Sequence, residues 1–572
     1  MQLFFKKACS YLFLYGVLAY MRVAIIHFKN MVIGMKNFIC EVCCWVSCYL
    51  LLCSCLGTNY EKQPVGQCFY LDAVSGNDDN TGESPNQAWQ SLEKASERTY
   101  MPGERLLLKR GDVFVGTLDF TGEGTAENRV YLDAYGDEKM ERPKIEGVGG
   151  LYAVRVYNSS YVTIQNLEIT NIGQLPRERS GLKVECNDYG TSRNIVINNL
   201  FIHDVNGQMV KGKGRGCGLF LVNQGKKKKS RFENMIIENC HIKNCTRDGM
   251  IWAGGRYIHR NEAPYDWFPN LNTIIRNNLI EKVAGDAIVP VGCDQTLIEY
   301  NVVRDWLDVL KNTPSAGIWP WSSDNTIIQF NDVSGFRSDS DGQAFDSDFN
   351  CKNTIIQYNY SHDNEGGMVL LCDDPGAKFS AGVLDTQIRY NISVNDGHRR
   401  MSKQREPSPA IHFTGPATDA LIERNIIHAN PKKEADTYRL MLRLSDWRPF
   451  PDNPIFRENI FYVSEPSGFI VGDKPFTFEG NWYLGEHKYS WLFEREVAGA
   501  GDETGLAIGD YDKTARTTSE VYQREVLDVD PQGYQGLHKL MEKRMVGGQE
   551  HYFVKKDAIE AFFARMENDK KE

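Results

Sequence analysis

The chain has 572 residues, of which 42% are hydrophobic, 24% charged and 11% aromatic. These are the values of a globular protein with a large core, and they exclude a disordered chain. A formal net charge of -10 argues against a nucleic-acid-binding face.

The first 54 residues are apolar and basic and read as a targeting segment, not as part of the fold. Met35-Lys36-Asn37 opens a short basic start, and a Cys- and Leu-rich run follows, ending CYLLLCSC. Leu52-Cys53-Ser54-Cys55 resembles a bacterial lipobox, with Cys55 as the lipidated residue. On this reading Met35 is the true start, residues 1–34 are an upstream extension, and the protein is exported. It would be an outer-membrane lipoprotein, periplasmic or at the cell surface, touching a membrane only through its lipid. A single transmembrane anchor is the alternative, but the apolar run is short for a spanning helix.

Residues 55–125 read as a linker and amino-terminal capping region. Within it, AWQSLEKASE (Ala88–Glu97) has the pattern of a short amphipathic helix. It follows the turn-rich SGNDDNTGESPN and precedes the first strand-like runs, RLLLKRG and VYLDAYG.

Over residues 126–485 one phrase recurs. It reads VTIQNLEI at Asn166, IVINNLFI at Asn199, MIIENCHI at Asn239 and TIIRNNLI at Asn278. Further copies centre on Asn301, Asn331, Asn359, Asn391, Asn425 and Asn459, with a weaker one at Asn481. The spacing, about 22 to 40 residues, is that of a solenoid. Each copy joins two short β-branched runs at an Asn. Most are preceded by a third run that begins near Gly, such as SGLKVEC, CGLFLVN or GGMVLLC. Three short strands per repeat predict an all-β fold, a single-stranded right-handed parallel β-helix with capped ends, its coils stacked about 4.8 Å apart. A single coil cannot bury its apolar face, so stacking makes the core. The asparagines are better read as inward amides that satisfy turn backbone groups than as a sugar-binding row. Residues 486–572 lack the phrase and read as a carboxyl-terminal cap, with helical patterning at Gln535–Met545 and Asp557–Met566.

Past Cys55 the cysteines are Cys68, Cys186, Cys217, Cys240, Cys245, Cys293, Cys351 and Cys372. None forms a C-x-x-C pair, so a zinc site has no support and buried thiols are the simpler reading.

The acids of DGQAFDSDFN and GGMVLLCDD carry the chemistry. Residues i and i+2 of a strand share a face. If Phe345 and Ser347 point inward, Asp346 and Asp348 point out together, with Cα atoms about 6.6 Å apart. In the next coil, an inward Met368, Leu370 and Cys372 would send Leu371 and Asp373 outward, with Asp374 beside them. In the preceding coil Trp319 and Trp321 would face out, suited to the apolar faces of sugar rings. Glycoside hydrolysis needs two such carboxyls, and crowding drives their pKa values apart. Arg399 and Arg400, in the loop DGHRRMSKQREPSP, could grip an anionic sugar, and His412 falls near the same strand column. The aromatic insertion at Gly254–Asn270 would wall one side.

FYLDAVSGNDDNTGESPNQAWQSLEKA, followed by MPGERLLLKRGDVFVGTL, resembles the start of exported bacterial right-handed β-helix proteins of the pectin-lyase-like kind. That resemblance implies action on polysaccharides. The acids resemble those of polygalacturonase-type hydrolases, which use an Asp-x-Asp and a following Asp-Asp in adjacent coils. This chain lacks their Asn before the first pair and their Gly-His-Gly. The expected function is a monomeric glycoside hydrolase of polysaccharides or oligosaccharides that needs no cofactor. The alternatives are a polysaccharide lyase acting on a uronate glycan, for which Ca2+ would serve, and a non-catalytic glycan-binding β-helix. The sequence identifies no metal ligands.

Overall fold

The computed structural model describes residues 66–209, 216–307, 314–338, 341–373, 382–399, 408–429, 440–445, 449, 451–464, 467–470, 476–485, 487–490 and 512–569. The targeting segment and Cys55 lie outside the described residues.

Among the described residues nearly all strands pair in parallel across successive coils. The first sheet has fourteen strands, from Cys68–Leu71 to Thr477–Glu479, and the second thirteen, from Val113–Val115 to Trp482–Leu484. The third sheet begins as seven strands ending at Ile288–Val289. It continues through single bridges at Ile318 into six strands running from Phe345–Ser347 to His487–Ser490. This is a parallel β-helix, right-handed as parallel crossovers are. Stacking starts at Cys68, where Cys68–Leu71 pairs with Arg105–Lys109, which pairs with Val130–Tyr135.

One file of side chains shows how the coils bury what none could bury alone. Ile164, Ile197, Ile237, Ile275, Ile298, Ile328, Ile356, Ile388, Ile422, Phe456 and Phe478 occupy a single register position of the first sheet, and all are buried. The amino-terminal end is covered by the helix Leu92–Ser96, whose Ser91 hydroxyl accepts from the Lys94 N–H at 3.1 Å. Trp89 stacks on Phe69 at 5.3 Å in the same cap.

The carboxyl-terminal region departs from the helical expectation. Tyr534–His538 is a short helix, but Met541–Val546 is a strand, paired antiparallel with Gln549–Val554. The cause is Gly547-Gly548, whose φ values of 58° and 79° make the two-residue turn that closes a hairpin. The second expected helix is present as Lys556–Asn568. The eight cysteines from Cys68 onward are unbridged, and six are buried.

The asparagine ladder is real but shorter than the phrase suggests. Asn278, Asn301, Asn331, Asn359, Asn391, Asn425, Asn459 and Asn481 are all buried. Asn359 illustrates the pattern. Its backbone N–H and its Nδ2 each donate to Asn391 Oδ1 at 3.0 Å, and Nδ2 also donates to Ile328 O at 2.9 Å. At the end of the ladder Asp512 accepts from both nitrogens of Asn481 at 3.1 Å. Asn166, Asn199 and Asn239 are not rungs. They occupy the preceding turn position at φ 62°, 52° and 56°, left-handed backbone that Asn tolerates, and the rung position there belongs to Leu167, Leu200 and Cys240.

Candidate active site

Register fixes what the outer face of the third sheet presents. Phe345, Val369, Ile411 and Leu442 align and point into the core. One residue on, Trp319, Asp346, Leu370, His412 and Arg443 form a file on the opposite face. Two residues further, Trp321, Asp348, Cys372, Thr414 and Ser445 continue beside it.

Cys372 lies on the coil that follows Asp346 and ends its strand just before Asp373. Burial, and then the charges of Asp348, Asp346, Asp341 and Asp373, push its thiol well above the usual range. The structure thus brings Asp346, Asp348 and Asp373 together, by a different route from the one expected. Val369 and Leu371 face the core, so Leu370 and Cys372 face out, the reverse of the expected phase. In MVLLC every position is apolar, so alternation carries no phase information. Asp373 joins the cluster because the strand ends at Cys372 and the chain turns. Its N–H donates to Thr414 O at 3.0 Å, and the residue is buried. Asp374 lies outside the described residues. Asp346 is also buried, at 4% exposure, so the carboxyls with access from outside are those of the half-buried Asp341 and Asp348.

Asp341 was not among the expected site residues. The usable signal is local. Asp341 takes φ 54° and Gly342 φ 87°, consecutive left-handed residues just before the acid strand. Sparsely populated backbone of this kind gathers at functional sites. A Cβ on Gly366 would meet Gly342 C at 1.9 Å, so the two glycines let successive coils touch here.

A cationic group faces the acids. Burial, then Arg443 and Arg399, hold the His412 imidazole well below its usual pKa, so it is neutral. Its Nε2 lies 2.8 Å from Ser445 Oγ and 3.2 Å from Thr414 Oγ1. Arg399 is buried rather than solvated, and its Nη2 donates to Asp341 O. Arg399 therefore links the acid-bearing turn to the histidine. Arg400 lies outside the described residues. Arg443 was legible only as a lone charge within the apolar strand LMLRL.

The two tryptophans separate. Trp319 is 4% exposed and cannot serve as an open platform for a sugar ring. Its indole N–H donates to Asp286 Oδ1 at 3.1 Å, and Asp286 pairs with the fully buried Arg247 at 2.9 Å. Trp319 is thus clamped beneath the acid file. Trp321 is half-buried and sits 5.0 Å from the His259 ring, in the aromatic insertion. Arg260 fastens that insertion to the Trp321 coil through Asp324 at 2.7 Å, while its guanidinium covers Trp267 at 4.1 Å. Among the described residues the Trp321 indole nitrogen, His259 Nδ1 and Asn261 Oδ1 are buried without a hydrogen-bond partner. Such groups are costly to leave unmatched. Among the described residues no group of three or more His, Cys, Asp or Glu is arranged to hold a metal ion.

A family model described as a right handed beta helix region matches residues 127–333. The lacto-N-biosidase of Bifidobacterium longum subsp. longum is 27% identical over 423 residues, covering 58% of this chain and 26% of that protein. The chain therefore spans about a quarter of the length of this curated relative. The crystal structure of a GH136 lacto-N-biosidase from Eubacterium ramulus is similar at a TM-score of 0.53 and 25% identity, covering 69% of this chain and 68% of that one. A mannuronic acid specific polysaccharide family 6 lyase from human gut microbiota is 12% identical at a TM-score of 0.43, covering 83% of this chain and 95% of that one.

Proposed function

We propose that this chain is a glycoside hydrolase of the lacto-N-biosidase type, acting on an oligosaccharide held along the outer face of the third sheet. The observation that carries the proposal is the register that sets Asp346, Asp348 and Asp373 on neighbouring coils of one sheet, with Asp341 in the turn that leads into them. Like charges so crowded favour one carboxyl keeping its proton. That carboxyl donates to the leaving glycosidic oxygen, and a second activates water or attacks the anomeric carbon. Asp341 and Asp348 are the reachable pair, with Asp346 and Asp373 behind them. Neutral His412 and the N–H of Trp321 hold sugar hydroxyls on either side. The test is product analysis after incubation with an oligosaccharide ending in a lacto-N-biosyl unit. A new reducing end and a released lacto-N-biosyl sugar are expected, and an untouched substrate across a panel of host and plant glycans would overturn the proposal.

A lyase is the second reading, favoured by Arg399 and Arg443 flanking a neutral His412, a set that could neutralise a uronate and take a proton. It would give unsaturated uronyl ends that absorb ultraviolet light. Binding without any product would point to a glycan-binding protein. For the amino terminus we propose export with a diacylglyceryl group on Cys55. Mass spectrometry of membrane-extracted protein should find residues before Cys55 removed, and a retained Cys48 would contradict this.

A further inference from the structure

A groove of about 690 Å³ lies on the second sheet, away from the acids, between its early coils and the tip of the carboxyl-terminal hairpin. Leu200, Phe201 and His241 form its floor. The turn residues Asn199, Asn239 and Asn277 line one side, and Arg142 and Arg544 approach from opposite ends of the sequence. Phe201 is stacked between His203 at 4.1 Å and His241 at 4.9 Å, so the floor is rigid and offers ring edges, not an open face.

Charge marks the groove. Among the described residues no carboxylate lies within ion-pair distance of Arg142 or Arg544, whereas Arg276 pairs with Glu238 at 2.7 Å and Arg304 with Glu281 at 3.0 Å. Arg142 is half-buried and donates to Asn199 Oδ1 at 2.5 Å. Arg544 rests on the Tyr300 ring at 3.7 Å, which fixes its plane and leaves its edge N–H groups for a ligand. Glu281, the nearest acid beneath His241, is already shared by His241 at 3.1 Å, Lys243 at 2.9 Å and Arg304 at 3.0 Å. The groove therefore keeps two guanidinium groups that make no direct ion pair among the described residues. The side-chain amide of Asn277, which lines it, makes no hydrogen bond among the described residues, its backbone N–H donating to Glu299 O at 3.3 Å.

Two half-buried arginines and a row of amides match one class of molecule. The geometry points to a second glycan site here, for a saccharide that bears a carboxylate or sulfate. The arginines take the anionic group, and the turn amides take neighbouring hydroxyls. The site holds a chain.

The experiment is calorimetric titration of the full chain with trigalacturonate and with maltotriose, a neutral trisaccharide. Binding of trigalacturonate that weakens with added salt is expected, with no heat from maltotriose. Arg142→Gln/Arg544→Gln should weaken binding by about tenfold or more, and Asp348→Asn should leave it unchanged. If the double variant does not fold, Arg544→Gln alone, on the hairpin, should still weaken it. A sulfated trisaccharide tells the two anions apart, and binding of either one supports the site. No binding of any acidic sugar overturns the proposal. So does equal binding of the neutral one, or affinity that survives in the arginine variants and falls instead in Arg399→Gln.

Discussion

At the scale of single residues, the acid cluster can be read through its neighbour Cys372. Burial, and then the nearby carboxylates, hold its thiol protonated, because low polarity and negative charge both disfavour a thiolate. Alkylation of native protein by iodoacetamide at pH 8 should therefore leave Cys372 unmodified. Asp348→Asn removes one of these charges, lowers the thiol pKa and should speed labelling, which peptide mass spectrometry would detect. Labelling equal in the two proteins would place the charge elsewhere. Trp321→Phe keeps the ring and deletes only the indole N–H. It should raise KM several-fold with little change in kcat, because a hydrogen bond made alike in ground and transition states acts on binding. Much of this site was legible in the sequence. Asp346 and Asp348 stood out as acids in a strand, where Asp is unfavourable. What stayed hidden depended on neighbours distant in the chain. The phase of MVLLC is set by pairing with Phe345, and the depth of Trp319 by the buried Asp286 and Arg247.

At the scale of elements, two turn columns run side by side, and each shows what its surroundings demand. The rung column is Asn wherever a buried amide must bridge coils. Asn359→Ala would strand the backbone N–H and Nδ2 of Asn331, which both donate to Asn359 Oδ1, as well as Ile328 O. The expected loss is about 3 kcal/mol in urea unfolding. Asn239→Ala, at an exposed turn position in left-handed backbone, should cost only about 1 kcal/mol. The neighbouring left-handed column runs Asn166, Asn199, Asn239 and Asn277, then Tyr300, Phe330, Tyr358 and Tyr390. These last four rings stack at 5.1, 5.3 and 5.3 Å. The change from amide to aromatic marks where the carboxyl-terminal cap lies over the solenoid. Tyr358 OH donates to Glu560 of the last helix at 2.7 Å, and Phe563 meets Tyr390 edge-on at 5.9 Å. Bulky residues in a backbone region that favours Asn and Gly were visible in the sequence, but a turn column becomes apparent only once the coils are aligned.

At the scale of the whole molecule, the cap is also fastened by ions. His362 lies 3.2 Å from Asp332 and 3.0 Å from Asp363, and Tyr534 of the cap donates to both oxygens of Asp363 at 2.8 and 2.7 Å. Burial pulls the His362 pKa down, but hydrogen bonds and charge from Asp332 and Asp363 outweigh it and raise the value to about 10. A histidine raised on folding contributes stability in full below its unfolded pKa, about 6.5. That contribution falls as pH climbs and is gone once pH has passed through the folded value. The urea midpoint should therefore decline from pH 6.5 toward pH 10, and His362→Gln should flatten the decline. A midpoint independent of pH in wild type would remove the latch. The central claim is that the carboxyls on the third sheet perform the chemistry. Its most direct test is kcat on a lacto-N-biosyl oligosaccharide for Asp341→Asn, Asp346→Asn and Asp348→Asn, beside Asp305→Asn, an exposed turn acid. Loss of general acid–base catalysis predicts a fall of about 10²–10⁴-fold in the reachable pair, Asp341 and Asp348, with the melting temperature kept. Asp346→Asn should fall as well, and Asp305→Asn should match wild type. Folded Asp341→Asn and Asp348→Asn proteins that turn over at the wild-type rate would contradict the account.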